Sequence, residues 1–175
     1  MTSTGKKYFP VDPRPEDIDI RDIAHHLSLL CRFTGACNRF YSVAEHSVLV
    51  SELVALHAPE HALMGLLHDA TEAYLGDVGK PLKMHLPEYN AIEDDNWKAV
   101  ADRFGLAYDM PDCIKDADVA VFLAECDALG ISRRDFGVVP PASAPKGVNV
   151  FGLTPQAAEE LFLLRYQELT HGLWP

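Results

Sequence analysis

The sequence predicts an all-α fold, on three observations. Apolar residues recur at the three-, four- and seven-residue offsets of a helix face, signals for helix starts and stops bracket those stretches, and no series of alternating apolar and polar residues marks strands. At 175 residues with 48% hydrophobic content, the chain suits one domain with a sizeable core. No repeat or low-complexity tract divides it.

The elements follow in order. Residues 1 to about 19 are rich in proline and charge and read as an extended arm over the surface. Asp19 or Asp22 can then cap a helix carrying Ile23, Leu27 and Leu30. Ser42-Val43-Ala44-Glu45 is a capping box, in which Ser42 takes the Glu45 amide and Glu45 reaches back to the Ser42 amide, so a helix is expected from there to about residue 57. After a break at Pro59, good helix formers run over residues 60 to 75 and stop at Gly76, read as a left-handed cap. Residues 76 to 87 form a loop, and residues 89 to 104 a charged amphipathic helix. Pro111-Asp112 offers a cap for a helix over residues 113 to about 129. Residues 130 to 152, with Pro140, Pro141 and Pro145, show no period. Thr154 as cap and Pro155 in the first turn open a last helix with Leu161, Leu164 and Leu169 inward.

Chemistry concentrates on four residues: His46, the doublet His68-Asp69, and Asp118. Adjacent helical side chains point about 100° apart, so the imidazole and carboxylate of the doublet can pinch one ion between them. His46 falls in the first turn of its helix, and Leu49, Val50 and Leu53 place it on the core-facing stripe. A buried histidine satisfied by a backbone carbonyl would have the same placement. Asp118 shares a face with Ile114, Val121, Phe122 and Glu125, and a carboxylate there needs a partner, either a metal or a cation such as Arg or Lys, unless it simply faces solvent. Asp116 lies on a more exposed side and reads as a solvated charge. Three helices presenting these groups inward would make a His2Asp2 site for one divalent ion. Mixed imidazole and carboxylate ligation suits manganese, iron, cobalt or zinc better than a calcium cage, and magnesium also stays open.

Glu72 stands four residues past His68 and three past Asp69, which puts a second carboxylate on the doublet's face. Asp77 lies just beyond the glycine stop. A phosphate ester is hydrolysed by a metal-acidified water, a base for its proton and positive charge on the phosphate oxygens, and each has a candidate here. Glu72 could orient or deprotonate the water, and Asp77 could deliver an acid from its loop. Equally, Glu72 could be a surface acid of an amphipathic helix and Asp77 a turn residue. Arg32, Arg39, Lys80 and Lys83 supply cations on either side of these motifs.

The order His, then His-Asp, then Asp across helices resembles the HD-domain metal-dependent phosphohydrolase superfamily. Val43-Ala44-Glu45-His46-Ser47, His68-Asp69-Ala70-Thr71-Glu72, Gly76-Asp77 and Pro81-Leu82-Lys83 are similar to its 5'-deoxynucleotidase branch, over residues 23 to 129 or so. The resemblance implies an HD-type helical bundle across residues 1–175, with a mononuclear site in its core. It implies His46, His68, Asp69 and Asp118 as ligands, Glu72 and Asp77 in catalysis, and an upstream arginine, Arg32 before Arg39, on the substrate phosphate, with Lys83 the next cation. The implied reaction is release of phosphate from (deoxy)nucleoside 5'-monophosphates. Residues 31 to 41 depart from the branch, and the tail from about residue 130 carries no motif. Alternatives are a deoxynucleoside triphosphate triphosphohydrolase, which shares the motifs but needs more cations, and a non-catalytic metal-binding regulatory domain. Two-metal members of the superfamily add histidines between the doublet and the last Asp, where this chain has His85.

Composition narrows the partners. A formal net charge of −11 works against binding a long nucleic acid but not a mononucleotide. No apolar run approaches the roughly 18 residues that span a bilayer, and residues 1 to 7 are too polar for a signal peptide. Cys31, Cys37, Cys113 and Cys126 lack zinc-knuckle spacing and read as reduced thiols, so a cytoplasmic location is expected. Trp97 and Phe33 are aromatics that could stack on a base or fill the core. The resemblance is compatible with a homodimer.

Overall fold

In the computed structural model, which describes residues 1–132 and 147–171, every regular element is helical. The helices are α1 (Ile20–Leu29), α2 (Val43–Ala55), α3 (Ala62–Leu67), α4 (Glu72–Leu75), α5 (Lys80–Lys83), α6 (Pro87–Phe104), α7 (Asp112–Leu129) and α8 (Pro155–His171), with short 3-10 turns at Pro15–Asp17, Arg32–Gly35 and Pro59–His61. An isolated antiparallel bridge pairs Cys31 with Ser42. No described helix is long and apolar enough to cross a membrane. The expected period-free stretch from residue 130 lies mostly at residues 133–146, outside the described residues.

Helix α2 is the axis of the fold, packed by α1, α3, α7 and α8. Its sequence explains this position: Val43, Ala44, Val48, Leu49, Val50 and Val54 are buried around its circumference, as expected of a helix enclosed by others. Ser42 caps it, accepting the Glu45 amide at 3.1 Å. The other half of the capping box is not made. Glu45 instead turns away and accepts the amides of Phe151, Gly152 and Leu153 at 2.7, 3.1 and 2.7 Å, so its carboxylate fixes the segment entering α8. Helix α3 approaches α2 closely through Gly65, where an added Cβ would lie 3.3 Å from a Val54 methyl.

Several sequence expectations need correction. Residues 60 to 75 are not one helix: α3 ends at Leu67, residues 68 to 71 form a tight turn, and α4 starts at Glu72. Bonds from Ala70 to Leu67 and from Glu72 to Asp69 span three residues, the tighter winding of a 3-10 turn. Gly76 stops the run with φ 85° and ψ 155°, a positive-φ conformation open to glycine but not the left-handed helical cap. The 76 to 87 loop contains α5, with proline in its first turn. Helix α6 starts earlier than expected, at Pro87, and α7 starts at Asp112 itself without a side-chain cap. In α8 Thr154 accepts the Ala157 amide at 3.3 Å and Leu161 and Leu169 pack against the core as expected, but Leu164 is 56% exposed, and Ala158 and Phe162 are the fully buried residues. The face is rotated because α8 lies over both α1 and α2.

Asp19 caps α1 by accepting the Arg21 amide. Asp22 acts differently. Fully buried, it accepts the Ser3 hydroxyl at 2.6 Å and the Thr4 amide and hydroxyl at 2.7 Å each, tying the amino-terminal arm to the bundle. Burial opposes its charge, but the Ser3 and Thr4 donors outweigh burial and lower its pKa. A carboxylate with a depressed folded pKa stabilises the protein above the unfolded value, near 4, and loses that contribution as the pH falls through the folded value. Asp22→Ala is therefore expected to cost about 2 kcal/mol at neutral pH, and hydrogen exchange at residues 2–6 should rise in the variant at pH 7 and in the wild type only under acid.

Candidate metal centre

Three elements meet at one point. Helix α2 brings His46, the turn after α3 brings His68 and Asp69, and α7 brings Asp118. One ligand atom each from His46, His68 and Asp118 lies within 4.8 Å of the others, and this group could hold a metal ion. His46 Nε2 is 3.3 Å from His68 Nε2 and 3.2 Å from Asp118 Oδ1. Asp69 belongs to the same cluster, its Oδ2 lying 3.3 Å from His68 Nε2 and 3.5 Å from His46 Nε2. His46 is wholly buried, whereas the Asp118 side chain is 43% exposed. The aspartate thus sits at the rim of the site, where the core-facing stripe of α7 reaches a cavity.

The electrostatics show what this cluster demands. Burial and the Arg32 charge oppose a proton on His46, yet Glu125 and Asp118 outweigh them and raise its pKa to about 9. His68 is raised as well, against its burial, by Asp69. Burial also works against the Asp69 and Asp118 carboxylates, but the neighbouring histidines hold both below the usual range. Paired acids that draw protons onto two imidazoles form a donor set suited to a divalent cation, which would supply the positive charge in place of those protons.

A cavity of about 1160 Å³ opens beside the cluster, lined by Asp69 and Asp118 together with Arg32, Glu72, Asp77 and Lys83. Burial, then the charges of Asp69 and Asp77, push Glu72 well above the ordinary carboxylate range, and its Oε2 is buried without a hydrogen-bond partner. Burial also raises Asp77. Arg32 NH1 lies 3.6 Å from Asp69 Oδ2, NH2 lies 3.2 Å from Glu125 Oε2, and its Nε has no partner. The guanidinium is thus held between two site acids at the wall of the cavity. Arg39 is placed elsewhere, donating to the Ala128 and Val150 carbonyls at 3.0 and 3.1 Å. Lys83 pairs with Glu93 and lies over the Tyr89 ring, while Lys80 and His85 are exposed. Phe33 lines the cavity; Trp97 is 9% exposed, donates to the Tyr108 carbonyl and lines a smaller recess that also touches His68, Asp69 and Asp118.

No family model matches the chain. It is 38% identical over 170 residues to the uncharacterized protein YfdR of Escherichia coli, an alignment that covers 97% of this chain and 94% of YfdR. The chain belongs to the YfdR family. An uncharacterized protein of Rhodobacter capsulatus is 42% identical over 186 residues, with 97% of this chain and 94% of that protein covered. These alignments cover 97% of the chain and so take in the arm and most of the tail, and this YfdR-family chain matches nearly the full length of its relatives.

Sequence reasoning missed Glu125 as a site residue. It stands seven residues after Asp118 on the same stripe of α7, fully buried, with Oε1 2.6 Å from His46 Nδ1. The one signal in the sequence was a glutamate on an apolar face, which gives no indication of which partner it takes. The four cysteines carry no disulfide, in keeping with their reading as thiols; Cys31 and Cys37 Sγ lie 3.7 Å apart beside the Arg32 turn.

Proposed function

We propose that this chain is an HD-domain-like, metal-dependent phosphohydrolase that releases phosphate from (deoxy)nucleoside 5'-monophosphates. The observation carrying this reading is that Asp69 and Asp118, the two acids clustered with His46 and His68, line one cavity with the polar set Arg32, Glu72 and Asp77. Asp69 would complete a four-ligand set with the three, and one divalent ion held there would acidify water and offset charge on the phosphate. Arg32, which lines the cavity, would hold a non-bridging oxygen through N–H groups not taken by Asp69 and Glu125. Glu72 and Asp77, carboxyl groups at the cavity whose pKa values burial raises, would take a proton from water and return one to the leaving oxygen.

Two features support a monophosphate over a triphosphate. Of the three cations lining the cavity, Arg32 is held against site acids and Lys83 already faces Glu93, which leaves Lys80 for two further phosphates. The cavity wall of Phe33, Val119 and Phe122 suits the less polar nucleoside instead. A purely structural ion would not call for the buried, unpartnered oxygen of Glu72, and this argues against a regulatory domain without turnover.

The test is turnover of nucleoside mono- and triphosphates with manganese, cobalt and magnesium in turn. Monophosphates should release inorganic phosphate, and Glu72→Ala and Asp77→Ala should each slow that release by about 100-fold or more while metal content stays at the wild-type level. An undiminished rate in both variants would remove the catalytic assignment, and release of triphosphate would transfer the chain to the alternative branch.

A further inference from the structure

We infer that Glu125 is a positioning residue: it fixes the ring of His46 so that Nε2 faces the metal position, and it joins that ligand to Arg32. The inference rests on the metal-site reading above but not on turnover.

One buried carboxylate meets three groups from separate stretches of the chain. Oε1 lies 2.6 Å from His46 Nδ1 on α2 and accepts the Tyr41 hydroxyl at 2.8 Å, while Oε2 takes Arg32 NH2 at 3.2 Å. A carboxylate only accepts, so the proton between Glu125 and His46 belongs on Nδ1, and in the neutral ring that would bind a metal it is Nε2 that has the lone pair, facing His68 and Asp118. His68 is oriented through the same ring nitrogen, but by the neutral Gly65 carbonyl at 2.8 Å. The two imidazoles therefore present equivalent nitrogens, and the one backed by a full negative charge is the stronger donor to a cation. Structural pairing with Arg32 alone would not require this arrangement, since the shortest contact of Glu125 is with the histidine.

Helix α7 thereby serves the site twice, through Asp118 directly and through Glu125 behind His46. Glu45 provides the comparison. It is as deeply buried, next to His46 in sequence, and fully hydrogen-bonded, but to the amides of residues 151–153 rather than to a site group.

Zinc is the probe. Competition with a chromophoric chelator should show zinc affinity reduced about 10- to 100-fold in Glu125→Gln, whereas Glu45→Gln lowers thermal stability and keeps zinc affinity within about twofold of the wild type. In 15N-histidine spectra of the zinc-loaded wild type, His46 should carry its proton on Nδ1, a result that does not depend on any variant folding. Unchanged affinity in a folded Glu125→Gln protein, equal losses in both variants, or zinc on Nδ1 would each overturn the inference. Tight zinc binding with the expected loss in Glu125→Gln but no phosphate release from any nucleotide would remove the hydrolase reading alone. A wild type that binds no zinc, manganese or cobalt would remove both.

Discussion

His68→Ala is expected to abolish stable metal binding and to reduce phosphate release by about 1,000-fold or more while the protein keeps its helical fold. The scale follows from what a bound ion contributes to such chemistry: without it, neither the acidity of water nor the charge on the phosphate is altered, worth several kcal/mol at the transition state. The fold should survive because His68 lies at the end of α3, and apart from its contacts with His46 and Asp69 in the cluster its hydrogen bond is to the Gly65 carbonyl. Loss of that bond costs about 1 kcal/mol. Elemental analysis and circular dichroism of the purified variant check the two halves. Full metal occupancy would contradict the ligand set.

The same cluster predicts how metal uptake depends on pH in the wild type. His46 and His68 are both raised above the ordinary histidine value, His46 to about 9, so over the neutral range a metal must displace protons to bind. Apparent affinity should therefore climb with pH from about 6 and level off as the pH passes about 9. The protons released on adding zinc at pH 7, measured in two buffers by calorimetry, give the number displaced.

How much of this site could be read in the sequence depended on whether the signal was local. The placement of His46 follows from Ser42, a capping residue three positions before Glu45, and the structure has that cap. The doublet was visible because a histidine and an aspartate beside good helix formers are costly unless partnered. The helix break beneath it was not visible, because Ala70, Thr71 and Glu72 are acceptable helix residues and only packing against neighbouring elements selects the tighter turn. Glu45 shows the opposite failure. Its capping-box spacing was genuine, but three amides more than 100 residues away compete for the same carboxylate and take it. Glu125 and Leu164 escape the sequence for a related reason: periodicity shows which face a residue occupies, while the partner on that face comes from another part of the chain.

Arg32→Ala should be the most disruptive single change at the site, and with Arg32→Lys it separates the observed pairing with buried acids from the proposed grip on phosphate. The guanidinium side chain is 13% exposed and lies between Asp69 and a wholly buried Glu125. Removing it leaves buried carboxylates without their compensating charge, which costs about 3–5 kcal/mol when one partner of a buried pair is deleted. A lowered thermal midpoint measured without added metal would show this. Saturating zinc should return part of the loss, because an ion bound beside Asp69 restores positive charge to the same acids. Arg32→Lys tests the other role. A lysine keeps the charge on the 3-10 turn but cannot present the flat fork that spans two acids and a phosphate oxygen, so stability should fall by less than half as much while phosphate release still drops by about 100-fold. If the lysine variant retained full turnover, the phosphate contact would have to be assigned to another cation at the cavity, and Lys83, which also borders the ligand cluster, would be the residue to change next.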